Sequence, residues 1–444
     1  MQTYTSYKTS NIEWIGEIPS HWKVTKVKYI ADIFGRIGYR GYTVDDIVEA
    51  GQGSIAISPA NIQNDIFKID NSTFISWDKY YESPEIMIFE NDIILVKTGS
   101  TIGKTAIIPK DCPEMTINPQ LVVLKNVKID HKFFYYQTLC DYFKLSFEIE
   151  QTGSTTPTIS QEKINSFPVL NLSYLEQQAI VNYLDHKTAL IDELIIKKEK
   201  KIELLKEQRS ALINHVVTKG LNPNAPMKDS GIDWIGEIPE HWERKKIKQI
   251  SKIISKGTTP STVGRELLDE GEVRYLKAEN ISDNKVMLFP SFFIDNETDK
   301  ILSRSKLLEN DILLVIAGAT LGKVAILTKE FIPANTNQAV SFIRLKENHN
   351  VKYIWYWLSS SILQQQIWID AVQSAQPNLS MENLGNFCFT FPPLFEQKDI
   401  VKFLDNQTTI IDKSIEIETQ KIEKLKEYRQ SLISNVVTGK IKVF

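Results

Sequence analysis

The chain is written twice. "SNIEWIGEIPSHW" begins at Ser10 and "SGIDWIGEIPEHW" at Ser230, with 10 of 13 residues shared. "KIELLKEQRSALINHVVT" at Lys201 returns as "KIEKLKEYRQSLISNVVT" at Lys421, with 12 of 18 shared. Both pairs lie 220 positions apart, and a third, "NDIILVKTGSTIGKTAII" at Asn91 and "NDILLVIAGATLGKVAIL" at Asn310, lies 219 apart with 11 of 18 shared. An offset of 219–220 residues therefore holds from the first of these segments to the last. It is far longer than the roughly 20–50 residues of a solenoid repeat, so each copy is large enough to fold around its own core.

The third pair carries a motif that needs testing. A phosphate-binding loop has four residues between its first glycine and the Gly-Lys pair, so that successive backbone N–H groups curl around the phosphates. Here Gly99 and Gly103 enclose three residues, and Thr98 stands where the glycine is required. Thr105, which would hold magnesium, is replaced by Val324 in the second copy. The stretch reads as a core strand followed by a tight glycine turn, and nucleotide hydrolysis through Lys104 is the reading it argues against.

Each copy has the same order of parts. The Trp-Ile-Gly-Glu-Ile-Pro opening is followed by short β-branched runs between Gly, Pro, Asn and Ser, with helical stretches between them, which predicts an α+β (mixed α/β) class. A long helix closes each copy. Positions spaced alternately three and four apart hold the apolar residues Val181, Leu184, Ile191, Ile195, Ile202, Leu205, Leu212 and Val216, with Thr188, Lys198 and Arg209 as polar interruptions. The second copy repeats them as Val401, Leu404, Ile411, Ile415, Ile422, Leu425, Leu432 and Val436, with Thr188 and Arg209 matched by Thr408 and Arg429. This is a heptad seam of 36 residues, about 54 Å of helix. An apolar stripe of that length needs a partner, and the matching helix of the other copy is the nearest one. An antiparallel coiled coil would give a pseudo-two-fold chain with a reading head at either end of a ruler.

Composition narrows the function. At 42% hydrophobic residues the chain can fill two cores, and no apolar run approaches the ~20 residues that span a bilayer. Cys112, Cys140 and Cys388 are far apart and in no metal spacing, as expected of thiols in a reducing cytosol. The six histidines build no zinc site. A net charge of −3 rules out a generally basic coat and leaves room for local basic patches. No dinucleotide fingerprint, nucleophile elbow or metal-carboxylate cluster stands out, so a non-catalytic binder is the leading class.

Several loops suit nucleic acid. "GRIGYRGYT" (Gly35–Thr43) offers Arg36, Tyr39 and Arg40 among glycines, and arginine can fork onto guanine. "RKKIKQISKIISKGTTPS" (Arg244–Ser261) carries six basic residues and ends in Lys256, Thr258 and Thr259, with Arg265 just beyond. The glycine turns add Lys97 and Lys104 in the first copy and Lys323 in the second. "QTGSTTPTIS" and "QSAQPNLS" occupy one place in the two copies and contribute Thr155, Thr156, Gln376 and Asn378. The openings, glycine turns and closing helices match closely, whereas Arg36–Ala60 and Lys256–Asn280 do not. A scaffold is kept while two reading surfaces differ, which implies an asymmetric two-part target with an unread gap.

With these parts assembled, "SGIDWIGEIPEHW", "SKGTTPS", "NDILLVIAGATLGKVAIL" and "FPPLFEQKDIVKFLD" together resemble the specificity subunit of type I restriction–modification systems. The resemblance covers both copies. It implies recognition domains at about 1–171 and 221–392, each reading half of a bipartite double-stranded DNA site. It implies helical spacers at 172–220 and 393–444 that pair as an antiparallel coiled coil, set the gap and dock two modification (methyltransferase) subunits. Restriction (translocase/nuclease) subunits would join them in the cytoplasm, with no membrane involved. The chain itself would bind no cofactor; S-adenosylmethionine, ATP and magnesium would belong to the partner subunits. One departure is visible: Pro392 and Pro393 precede Glu396 and Gln397, but Leu172 and Ser173 precede Glu176 and Gln177. Trp14, Trp22, Trp234 and Trp242 read as packing residues. The competing reading is a coiled-coil adaptor that binds only proteins and no specific DNA.

Overall fold

The computed structural model describes residues 3–36, 38, 41–70, 72–153, 156–282, 284–371 and 377–443. Two compact units make up the chain: Met1–Glu199 with Gln420–Phe444, and Lys200–Thr419.

In the first unit the apolar run after Asn91 forms the strand Ile93–Val96, with all four side chains fully buried. It lies inside an antiparallel sheet ordered Thr105–Ile107, Ile93–Val96, Leu121–Lys125, Asp32–Gly35. Successive side chains of a strand point to opposite faces. Ile93, Leu95, Val122 and Leu124 accordingly pack with Phe133, Phe134 and Phe143 of the helices, while Ile94, Val96, Leu121 and Val123 pack with Ile55, Ile57, Met115 and Ile117. Those four belong to a five-stranded sheet that contains a parallel pair, Gly53–Ile57 with Met115–Ile117. Cover on both faces explains why the run is continuously apolar instead of alternating.

The second unit repeats the plan. Its sheet runs Ser251–Lys256, Val340–Leu345, Ile312–Val315, Val324–Ile326, and its parallel pair is Val273–Leu276 with Ala334–Thr336. Ile312, Leu314 and Ile343 face the helices; Leu313, Val315 and Phe342 face the other sheet. The class is α+β, as the sequence predicts.

The closing helices are Tyr174–Lys219 and Leu394–Val437. Each is anchored at its first turn by the opening motif. Glu176 Oε1 takes His21 Nε2 at 2.8 Å and the fully buried Trp22 Nε1 at 3.5 Å; Glu396 takes His241 Nε2 at 2.6 Å and Trp242 Nε1 at 2.8 Å. Burial pushes the Glu176 carboxyl up, but hydrogen bonds from His21, Ser173 and Trp22 outweigh it and hold the group below its ordinary value. Gln177 Nε2 donates to Leu172 O and Gln397 Nε2 to Pro392 O, both at 2.8 Å. A carbonyl is all this bond requires, so Leu172 replaces proline without altering it. Ser173 adds a cap of its own, its hydroxyl accepting from Glu176 N and donating to Glu176 Oε2.

The seam forms as the heptads predict. Val181, Leu184, Thr188, Ile191 and Val216 are buried, as are Val401, Leu404, Thr408, Ile411, Ile422, Leu432 and Val436, and Ile195, Ile202, Leu205, Leu212, Ile415 and Leu425 are half-buried. In the first unit the start of the first helix packs on the end of the second, with Leu184 and Ile191 in one cluster with Leu432 and Val436, and Asp192 pairs with Arg429 at 2.9 Å. In the second unit Lys201 pairs with the buried Glu418 at 3.0 Å and Arg209 with Asp412 at 2.8 Å, so the two helices run antiparallel. Of the four tryptophans, Trp22 and Trp242 are core residues, Trp234 packs edge-on to Trp357, and Trp14 is exposed. No helix among the described residues is long and apolar enough to cross a membrane.

Candidate nucleic-acid interface

The glycine turn is the tip of a β-hairpin. Ile93–Val96 pairs antiparallel with Thr105–Ile107, and Gly103 N to Val96 O and Val96 N to Lys104 O, each 2.9 Å, extend the ladder toward the tip. Gly99 and Gly103 take positive φ of 107° and 84°. A phosphate loop leads into a helix N-terminus, and this turn leads into a strand, so the dipole and the row of free N–H groups are missing. Thr105 is fully buried and gives its hydroxyl to Ile94 O at 3.0 Å. The second hairpin, Ile312–Val315 with Val324–Ile326, has the same form.

Each hairpin tip is bound to a polar strap. In the first unit Gly99 N donates to Pro157 O at 2.9 Å and Ile159 N to Lys97 O at 3.0 Å, and the Thr98 and Thr158 hydroxyls meet at 2.8 Å. In the second, Leu379 N donates to Ile316 O at 2.8 Å, and Ala317 bridges Asn378. A second turn backs each tip. Lys97 N donates to Gln120 O at 2.8 Å, and Ile316 N to Ala339 O at 2.8 Å. In the second unit the "SKGTTPS" segment joins the same group. Gly257 N donates to Asn337 O at 3.0 Å, Thr258 N to Thr336 O at 3.2 Å, and the Thr259 hydroxyl to Gln338 Oε1. An open cavity of about 340 Å³ lies between this tip and the Ala278–Asn280 turn, lined by Lys277, Glu279, Thr320 and Asn337 among others.

The structure thus gathers Lys97, Lys104 and the strap of Thr156 in the first unit, and Lys256, Thr258, Thr259 and Asn378 in the second. Lys104, Thr156, Lys256 and Asn378 are exposed and Lys97 is half-buried. Lys323 is exposed, its ammonium 3.5 Å from Ser282 Oγ. Arg265 is held by Glu297 at 2.7 Å. Tyr39, Arg40, Thr155 and Gln376 lie outside the described residues.

Arg36 does not belong to this surface. It is 4% exposed; Nε donates to Ile117 O and Nη2 to Thr116 Oγ1, both at 3.0 Å, and the guanidinium lies over the Tyr42 ring. Burial lowers its pKa, with Tyr42 and nearby acids opposing. It fastens the end of Asp32–Gly35 to the second sheet. Sequence reasoning missed Asn118, Gln120, Asn337 and Gln338. Their signal was an asparagine at the same place in each copy, just ahead of an apolar strand.

Residues 19–204 and 239–427 each match the type I restriction modification DNA specificity domain. The chain is 27% identical over 364 residues to the type I restriction enzyme MjaVIII specificity subunit of Methanocaldococcus jannaschii, covering 81% of each. It is 25% identical over 394 residues to the EcoBI specificity subunit of Escherichia coli, covering 85% of this chain and 78% of the relative. A chain from a solved type I R-M complex aligns over 96% of this one and 99% of itself, with a TM-score of 0.69 at 13% identity. The HsdS subunit from Thermoanaerobacter tengcongensis aligns over 96% and 98%, with a TM-score of 0.50 at 13% identity. With one copy of the domain in each half, the chain belongs to the type I restriction modification DNA specificity family.

Proposed function

We propose that each half of this chain reads one part of a two-part DNA site through its glycine hairpin, strap and backing turn. The chain is the DNA specificity component of a type I restriction–modification system and is not itself the catalyst. The observation that carries the reading is the repeat: two full specificity domains follow one another in a single chain, on scaffolds that match and reading segments that do not. The recognition domains extend over about 1–171 and 221–392. The paired helices 172–220 and 393–444 set the number of unread base pairs and offer docking surfaces for two modification subunits, with restriction subunits joining in the cytoplasm. S-adenosylmethionine, ATP and magnesium act on those partners.

Exposed Lys104, Lys256 and Lys323 suit phosphate oxygens, which position a protein on the duplex. Thr156, Thr258, Thr259 and Asn378 bring hydroxyl and amide groups that can donate to or accept from base edges. The test is co-expression with the neighbouring modification subunit, followed by modified-base sequencing of host DNA. Methylated adenines in one two-part motif with a degenerate gap are expected. A stable, active methyltransferase complex that methylates no such motif would refute the reading and favour a protein-only adaptor.

A further inference from the structure

The two units are internal controls for each other. Residue 97 is lysine in the first unit, and the matching residue 316 is isoleucine in the second. Both follow the buried strand, both N–H groups bond to the backing turn at 2.8 Å, and both carbonyls accept from the strap, at 3.0 and 2.8 Å. The fold therefore uses the backbone at this position and is indifferent to a cation. Ile316 is fully buried and belongs to the core of its unit. Lys97 is half-buried, and among the described residues its ammonium has no carboxylate or hydrogen-bond partner. Burial lowers its pKa, and no opposing charge offsets the effect. An acceptor supplied from outside would do so. Lys104, at the other side of the hairpin, is exposed, as suits a phosphate contact.

We propose that Lys97 determines specificity in the half-site read by the first unit, donating to O6 and N7 of a guanine in the major groove. The inference rests on the DNA-reading function proposed above. An ammonium carries three donors and no acceptor. Guanine alone presents two adjacent acceptors there; adenine pairs an acceptor with a donor, cytosine shows a donor, and thymine shows one acceptor beside a methyl group. Thr98, whose hydroxyl bonds that of Thr158 at 2.8 Å, follows the lysine in the chain, and the exposed Gln120 accepts the lysine's backbone N–H through its carbonyl. The second unit places Ile316 and Ala317 at these positions and has no such cation.

The test is the K97I substitution, which installs the residue the fold already accepts at 316, made in the full chain co-expressed with its modification subunit. Modified-base sequencing is expected to show one half-site losing its guanine requirement at one position, with discrimination reduced about tenfold or more, while the other half-site is unchanged. K97R keeps the guanine, and K97Q gives the same readout as K97I should the latter fail to assemble. An unchanged motif overturns the proposal. So does methylation that falls evenly across all sequences, which marks a phosphate contact. A wild-type complex that methylates no two-part motif instead overturns the functional reading, and this inference with it.

Discussion

Gly257 stands where no side chain fits. A Cβ there would overlap the Thr336 carbonyl and come within 2.6 Å of Asn337 N. The G257A substitution must therefore push the Lys256–Thr259 segment away from the turn that backs the second hairpin. Three hydrogen bonds depend on that approach: Gly257 N to Asn337 O at 3.0 Å, Thr258 N to Thr336 O at 3.2 Å, and Tyr275 Oη to Thr258 O at 2.8 Å. At about 1 kcal/mol net each, their loss amounts to about 3 kcal/mol of local stability. Since 1.4 kcal/mol is a tenfold change, local opening should become roughly a hundredfold more frequent. Hydrogen exchange read on peptides spanning 255–260 and 334–340 should lose protection by about that factor, while peptides from 93–107 keep theirs. Methylation should lose specificity in one half-site only. Unchanged protection at 255–260, or an equal loss in the first unit, would refute the reasoning.

Other outcomes follow from single contacts. L404A removes a fully buried seam residue and should cost about 2–5 kcal/mol in chemical denaturation, whereas L204A, half exposed on the same coil, should stay within about 0.5. R344M strips a bidentate partner, at 2.8 and 2.7 Å, from Asp311, which is 1% exposed; the buried charge left behind should cost about 3–5 kcal/mol, and the deficit should shrink as acid protonates Asp311. Glu176, held below its ordinary 4.5, stabilises the fold above that pH and loses its contribution as pH falls beneath it; E176Q should flatten this part of the denaturation profile. K104A should weaken DNA binding evenly across sequences and reduce the salt slope by about one, leaving the methylated motif unchanged.

The sequence disclosed most where interactions are local or repeated. The seam was legible because heptad spacing depends only on neighbours three and four residues away, and the second copy checks every position. Spacing, Thr98 and the second copy's Val324 argued for a core strand and a tight turn at the glycines, and the structure makes that turn the tip of a hairpin. Arg36 misled for the opposite reason. Its glycine- and tyrosine-rich surroundings look like an open loop, yet its partners Thr116 and Ile117 lie about 80 residues on, in a strand whose parallel pairing no local pattern announces. The polar turns at Asn118–Gln120 and Asn337–Gln338 escaped notice because asparagine and glutamine before a strand are ordinary turn residues. Only the assembled sheet puts them behind the hairpin tips.

The make-up of the two units also sets the order in which they are completed during synthesis. The second unit is one unbroken stretch, Lys200–Thr419; the first joins Met1–Glu199 to Gln420–Phe444. A ribosome adds about 5–20 residues per second, so the first unit waits roughly ten to forty seconds for its last segment while the second is made. Throughout that interval Leu184 and Ile191 lack Leu432 and Val436, the residues that cover them in the finished molecule. Translation that stops short of residue 420 yields a chain whose later-coded unit is complete and whose earlier-coded unit is not.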